Sequence, residues 1–150
     1  MEKPPGFTML YGEEIPPFDG DTFFYLSAAY EAVTGKMEAL VPDLVGAHIG
    51  KGVFVLSAAH KSLGVRDKFK ESLEKIEFEH PLVCRHPTNN RRYLFLSAAL
   101  CRFAGMAVAE SQPIIDFLMS HATRAEYSCR LRWQPAHSPC GQINACCTRP

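Results

Sequence analysis

A β-hairpin is the feature of this sequence that most restricts its fold. Two short apolar runs, 82–85 and 93–96, flank the segment Pro87-Thr88-Asn89-Asn90. Proline and asparagine favour the backbone angles of a turn, and the runs on either side favour extended chain. The pattern predicts two antiparallel strands, and therefore an antiparallel sheet in at least one part of the molecule.

Further strand and helix patterns occur on both sides of this hairpin. Strands are predicted over 7–11, 21–26, 53–56 and 127–133. In the last one, Tyr127, Cys129, Leu131 and Trp133 alternate with polar residues, which is typical of a half-buried strand. Apolar residues at helical spacing predict helices over 27–40 and 60–78, and another that begins at 111, with Ser27 and Ser111 as N-caps. Since these elements do not alternate as βαβ units, an α+β fold or a decorated β sandwich is favoured over a doubly wound sheet.

Charge and length exclude several classes of protein. The 150 residues suffice for one domain with a real core. The 16 basic and 16 acidic residues give zero net charge, so we expect no nucleic-acid partner and no polybasic membrane surface. No apolar run reaches the length of about 20 residues that spans a membrane, and the N-terminus lacks a signal peptide. The sequence therefore predicts a cytosolic protein with reduced cysteines.

The residues alone reveal no active site. None of the six histidines is followed two positions later by Asp or Glu, and there is no phosphate-binding loop or Cys-x-x-Cys pair. A zinc site in the tail would use His137, Cys140, Cys146 and Cys147, but their spacing matches no standard zinc pattern. Structural or packing roles are expected for the remaining candidates, which are His80, His86, His121, Phe95 and Phe103.

Three segments, taken in order, resemble the Fe(II)/2-oxoglutarate dioxygenases related to taurine dioxygenase and chlorophenoxyacetate dioxygenase. The first runs from Glu2-Lys3-Pro4-Pro5 to Gly20-Asp21-Thr22 and is similar to the Pro-Pro…Gly-Gly-Asp-Thr segment of that family. The second, from His80-Pro81 to Leu94-Phe95, is similar to its His-Pro…Leu-Phe hairpin. The third, from His121 to Trp133-Gln134-Pro135, resembles the strand that leads to the last metal ligand.

The resemblance implies a partial double-stranded β-helix, or jelly roll, with flanking helices. It also implies Fe(II) and 2-oxoglutarate as cofactors, O₂ as co-reactant, and a small organic acid such as a sulfonate as substrate. Of the functional positions of the family, only Thr22 is matched here, and its implied role is to help hold 2-oxoglutarate. A strand-starting threonine without a ligand is the alternative for this residue.

The iron ligands of the family have no counterpart in this sequence. The family's His-x-Asp pair lies just upstream of its Pro-Pro segment, and its ligand histidine follows a Trp-Asp-Asn-Arg-like stretch. No such stretch follows Pro135, and no catalytic or metal-binding residue is therefore assigned. We expect this chain to lack 2-oxoglutarate turnover, because it cannot hold iron in a facial triad.

The cysteine-rich tail is explained by a shifted reading frame. Read from the third base of the Pro135 codon, the codons permit Gly-Thr-Leu-Ala-Met-Trp-x-Asn-Gln-Arg-Val-Leu-His, which resembles the missing metal-ligand segment. The histidine (or tyrosine) falls at the junction of Cys147 and Thr148. This interpretation makes residues 1–135 the central part of a dioxygenase domain and residues 136–150 an out-of-frame tail. The alternatives are a catalytically dead truncated remnant and a non-enzymatic binding domain, and the oligomeric state cannot be predicted.

Overall fold

The computed structural model describes residues 8–9, 22–49, 77–130, 140–141 and 146–148. The helices in these ranges are α1 (Leu26–Glu31), α2 (Gly35–Leu40) and α3 (Val108–Ala122). Two short 3₁₀ turns cover Val41–Asp43 and Ala125–Tyr127. The strands, in chain order, are β1 (Thr8–Met9), β2 (Thr22–Tyr25), β3 (Val45–Ile49), β4 (Glu77–Pro81), β5 (Val83–Arg85), β6 (Arg92–Leu94), β7 (Leu100–Phe103), β8 (Ser128–Arg130), β9 (Cys140–Gly141) and β10 (Cys146–Thr148).

The described strands pair antiparallel throughout. One sheet has β3 between β4 and β7, and we call it the β3 sheet. A second has β2 between β8 and β10, and we call it the β2 sheet. Two further pairs are β1 with β9 and the β5–β6 hairpin.

The β3 sheet is tightly closed on both faces of its central strand. Gly46 lies where a Cβ atom would come within 2.7 Å of Leu100 Cδ1, so a larger residue would displace that side chain. On the other face, an ion pair between Arg102 of β7 and Glu77 of β4 joins the outer strands. Since β3 lies between those strands, this pair crosses it on the face of Ala47, which is fully buried.

A single hydrophobic core connects the sheets with the helices. Helix α3 packs on β7 and on α1, and α1 packs on β6. The core residues include Phe24 from β2 and the fully buried Leu82, Leu94, Phe103 and Leu118. The Ser111 hydroxyl, also fully buried, accepts a hydrogen bond from the Phe103 N–H (2.9 Å) and donates one to the Ala107 carbonyl (3.0 Å).

The predicted hairpin and the strand near residues 21–26 are confirmed, as β5–β6 and β2. The helix predicted over 27–40 is confirmed except that it is two helices, because the chain leaves the helical conformation at 32–34 and starts a new helix at Gly35. Ser27 lies inside α1 and caps nothing. Ser111 is not an N-cap either, since α3 begins at Val108, where the Glu110 side chain accepts a hydrogen bond from the Ala107 N–H.

The predictions over 53–56 and 60–76 lie outside the described residues. Glu77 and Phe78, the end of the helix predicted over 60–78, belong instead to strand β4, where pairing with β3 fixes an extended conformation. Helices together with antiparallel sheets agree with the α+β class. None of the described helices is long and apolar enough to cross a membrane, and the cytosolic location stays a prediction.

Candidate functional site

Thr22 is the first residue of β2, the central strand of the β2 sheet. Its Cα partner on β8 is Arg130, and the pairing continues without a shift through Phe23 with Cys129 and Phe24 with Ser128. On the other side of β2, the backbone of β10 pairs Cys147 with Phe24 and Thr148 with Phe23. The residue that the resemblance assigns to 2-oxoglutarate therefore begins a strand that pairs with two strands from much later in the chain.

The two faces of the β2 sheet differ in what they contact. Phe24 is 3% exposed and belongs to the core, whereas the next residue, Tyr25, is 56% exposed. Successive residues of a strand point to opposite faces, so Thr22 and Phe24 share the inner face. Directly paired residues also share a face, which places Ser128 and Arg130 on the inner side and the exposed Cys129 on the outer side.

This arrangement corrects one expectation from the sequence. The alternation over 127–133 predicts that the apolar set, Cys129 included, faces inward. In the structure Cys129 is exposed, because the pairing with β2 places Ser128, and not Cys129, on the face that carries the core residue Phe24.

A second polar group lies inside the β3 sheet. His48 is 8% exposed, and within the described part of the chain neither of its ring nitrogens has a hydrogen-bond partner. Its ring centroid lies 5.6 Å from that of His80 and 5.2 Å from that of Phe95. Burial, reinforced by the nearby His80, lowers the pKa of His48 to about 4, so the ring is neutral at pH 7. No sequence pattern indicated His48, since a lone histidine in a strand carries no periodic signal.

The other singled-out side chains have structural contacts. The Nε2 atom of His121 lies 2.9 Å from the Ala29 carbonyl oxygen, which joins α3 to α1. The Nδ1 atom of His86 accepts a hydrogen bond from the Thr88 N–H inside the hairpin turn. Phe103 is fully buried and Phe95 packs against the core, as expected from the sequence.

The described residues do not fit an iron centre. Within these ranges, no three side chains among His, Cys, Asp and Glu come close enough to share a metal ion. The Thr22 hydroxyl is a group of a different kind, since it can donate a hydrogen bond to a carboxylate.

Residues 1–138 match the family described as "Taurine catabolism dioxygenase TauD, TfdA family". Among curated proteins, the alpha-ketoglutarate-dependent 2,4-dichlorophenoxyacetate dioxygenase of Cupriavidus pinatubonensis is 30% identical over 129 residues, 85% of this chain and 43% of that protein. The alpha-ketoglutarate-dependent sulfate ester dioxygenase of Pseudomonas putida is 26% identical over 137 residues, 89% of this chain and 46% of that protein.

Solved structures include two with a similar fold. A taurine dioxygenase from Burkholderia xenovorans has a TM-score of 0.73 at 29% identity, covering 95% of this chain and 44% of that one. The structure of AAD-2 in complex with Mn(II) and N-oxalylglycine has a TM-score of 0.80 at 24% identity, covering 99% of this chain and 54% of that one, and supports the fold alone. The chain thus spans less than half the length of the curated relatives named above. With 138 of its 150 residues matched, the chain belongs to the TauD, TfdA family of dioxygenases.

Proposed function

We propose that residues 1–135 are the central part of a 2-oxoglutarate-dependent dioxygenase domain with a jelly-roll fold. The reaction converts 2-oxoglutarate and O₂ to succinate and CO₂, and it inserts one oxygen atom into a C–H bond of a small organic acid. Sulfonates, sulfate esters and phenoxyacetates are the substrate classes to test, because the names of related proteins mention them.

The observation that carries this proposal is the position of Thr22. It begins the central strand of the β2 sheet on the face shared with the core residue Phe24. A hydroxyl there can donate a hydrogen bond to a carboxylate. The antiparallel pairs β1–β9 and β10–β2–β8 support the jelly-roll part of the proposal, because each joins strands that are far apart in the chain.

The out-of-frame origin of residues 136–150 is part of the same proposal. The family match ends at residue 138, close to the proposed boundary. The backbone of residues 147 and 148 lies beside β2, opposite Phe24 and Phe23. A histidine encoded at that junction in the restored frame would therefore lie on a strand adjacent to that of Thr22.

The test uses two proteins made from the same locus. One is the 150-residue chain, and the other is extended upstream and read in the restored frame after Pro135. Both are incubated with Fe(II), 2-oxoglutarate and a panel of sulfonates, sulfate esters and phenoxyacetates, and succinate is measured. We expect succinate from the restored protein alone. Failure of the restored protein with every acid would contradict the proposed activity, and iron-dependent succinate from the 150-residue chain would contradict the need for the restored segments.

A second candidate applies to the 150-residue chain itself. The described residues contain no group of three metal-ligating side chains. The β2 sheet nevertheless carries the Thr22 hydroxyl, which can donate a hydrogen bond to a carboxylate. These observations favour a domain that binds 2-oxoglutarate without turning it over. Isothermal calorimetry that detects 2-oxoglutarate binding by a chain that releases no succinate would support it.

A further inference from the structure

Two arginines lie directly opposite each other on the β5–β6 hairpin. Arg85, the last residue of β5, pairs with Arg92, the first residue of β6. Directly opposed residues of antiparallel strands project from the same face with Cβ atoms about 4.5–5.5 Å apart, and like charges in these positions destabilise the pairing. The repulsion between the two guanidiniums therefore favours a group of opposite charge that lies between them.

The carboxylates of the described residues do not supply that negative charge. The neighbouring Arg91 is paired with Glu31 of α1, with 2.8 Å between Nη2 and Oε2. In contrast, neither Arg85 nor Arg92 forms an ion pair within the described ranges of the chain. Two of the three arginines on this hairpin are thus left without a countercharge at close range from that part of the protein.

Hydrogen bonds within the chain position both guanidiniums. The Nη1 atom of Arg92 donates to the hydroxyl of Tyr30 (3.1 Å), a buried residue of α1. This contact is also the main cause of the raised pKa of Arg92, to which Glu38 contributes less. The Nη1 atom of Arg85 donates a longer hydrogen bond (3.4 Å) to the carbonyl oxygen of Asn90. Since a guanidinium has five N–H donors, each arginine keeps further donors for a ligand.

The two arginines line a small surface cavity together with Pro42 and Val83. The volume of this cavity is about 220 Å³, which is below the roughly 300 Å³ of the smallest pockets for drug-sized ligands. Proline has no N–H group to donate, and the valine side chain is apolar. The guanidiniums are therefore the polar side-chain groups of this lining, and the cavity suits a small anion.

We propose that this cavity binds a tetrahedral oxyanion, a sulfate or phosphate group, between Arg85 and Arg92. The planar fork of a guanidinium can donate two parallel hydrogen bonds to two oxygens of an anion. A tetrahedral oxyanion offers a separate edge to each of the two forks, whereas a carboxylate has only one edge of two oxygens. The site lies on the β5–β6 hairpin and not on the β2 sheet, so it does not depend on the proposed function.

The experiment is a titration of the 150-residue chain by isothermal calorimetry at pH 7, at constant ionic strength with chloride as the balancing anion. The ligands are inorganic sulfate, inorganic phosphate, methyl sulfate and acetate. The variants Arg85→Gln and Arg92→Gln each remove one fork. Arg124→Gln is the matched control, because Arg124 is an exposed arginine whose ion pair with Glu126 lies outside the hairpin.

Loss of a charge-assisted hydrogen bond raises a Kd by about 10- to 100-fold. Because both arginines are exposed, we expect an increase of about tenfold in the Kd for sulfate in each glutamine variant, and less than about twofold in Arg124→Gln. Acetate should bind about tenfold more weakly than sulfate, because it can engage one fork at a time.

Sulfate and methyl sulfate separate the two sources of such a group. Both present sulfate oxygens, but only the inorganic anion carries two charges and only the ester carries a carbon substituent. Tighter binding of inorganic sulfate or phosphate identifies a free anion as the ligand. Equal or tighter binding of methyl sulfate identifies the charged group of an organic ester, whose substituent contacts Pro42 and Val83.

Three results would overturn the inference. They are no binding of any of the oxyanions by the unmodified chain, an unchanged Kd in both glutamine variants, and acetate binding as tight as that of sulfate. Should circular dichroism show that Arg92→Gln is unfolded through loss of its contact with Tyr30, Arg85→Gln and Arg92→Lys provide the test. Lysine keeps the charge without the fork, so an unchanged Kd in Arg92→Lys would overturn the two-fork contact.

Discussion

The two three-stranded sheets of this protein differ in how completely their central strands are buried. In β3, the three consecutive residues Gly46, Ala47 and His48 are all buried, because the core covers one face and the Arg102–Glu77 pair crosses the other. In β2, only Phe24 is buried. Ser128 and Arg130, the two end residues of the neighbouring strand β8, are both in contact with solvent. A strand closed on both faces contributes to stability, whereas a strand open at one end can present polar groups to a ligand.

The largest expected effect is the loss of a core side chain in the β3 sheet. Replacing Phe103, which is fully buried, by alanine should lower the free energy of unfolding by about 3–5 kcal/mol. Phe23→Ala on the outer face of β2 is the matched control, and half or less of that loss is expected because Phe23 is only half-buried. Urea unfolding followed by circular dichroism measures both, and equal losses would remove the contrast between the sheets.

Acidification should weaken the β3 sheet through His48. Its pKa is about 4 in the folded protein, against an ordinary value of 6.5, so folding is insensitive to this group above pH 6.5. Between pH 6.5 and about 4, His48 binds a proton in the unfolded chain but not in the folded one. The free energy of unfolding should therefore fall by at most about 3 kcal/mol over that interval.

The measurement compares urea unfolding of the wild type and His48→Phe at pH 7 and pH 5. The variant should lose less stability on acidification, because phenylalanine does not titrate. His80→Gln should retain most of the slope, since burial contributes more to the lowered pKa of His48 than repulsion from His80 does. Identical slopes in wild type and His48→Phe would show that burial of this ring does not matter.

Hydrogen bonds of two serines extend the comparison to smaller effects. Ser111→Ala should cost about 1–3 kcal/mol, because the Phe103 N–H loses its buried acceptor. Ser128 in β8 donates to the Ala125 carbonyl at 2.9 Å near the surface, where water can replace the hydroxyl, so Ser128→Ala should cost less than about 1 kcal/mol. Thermal unfolding of the two variants ranks them, and the reverse order would contradict the difference in burial.

The smallest effect is expected on the outer face of the β2 sheet. Cys129 is exposed, and Cys129→Ser should change the free energy of unfolding by no more than about 0.5 kcal/mol. A loss above about 1 kcal/mol in urea unfolding would mean that this face is covered in solution.

Local patterns predicted the hairpin and β2, because turn residues and β-favouring runs act within a few positions of each other. They failed for Ser27 and Ser111, since each of these serines lies inside its helix, after the helix has begun at Leu26 or Val108. They failed again for the faces of β8, where hydrophobicity favoured Cys129 inside and pairing with β2 decided otherwise. Thr22 was found through the family resemblance alone, and its partner Arg130 lies about a hundred residues later, beyond the reach of any local pattern.

The order of strands in the β2 sheet has a consequence for folding during translation. Its central strand leaves the ribosome early, but β8 and β10 are made only after about a hundred further residues. At typical rates of synthesis, β2 waits on the order of ten seconds with both edges unpaired. Open strand edges can pair with other extended chains, so the nascent protein is exposed to aggregation during that interval.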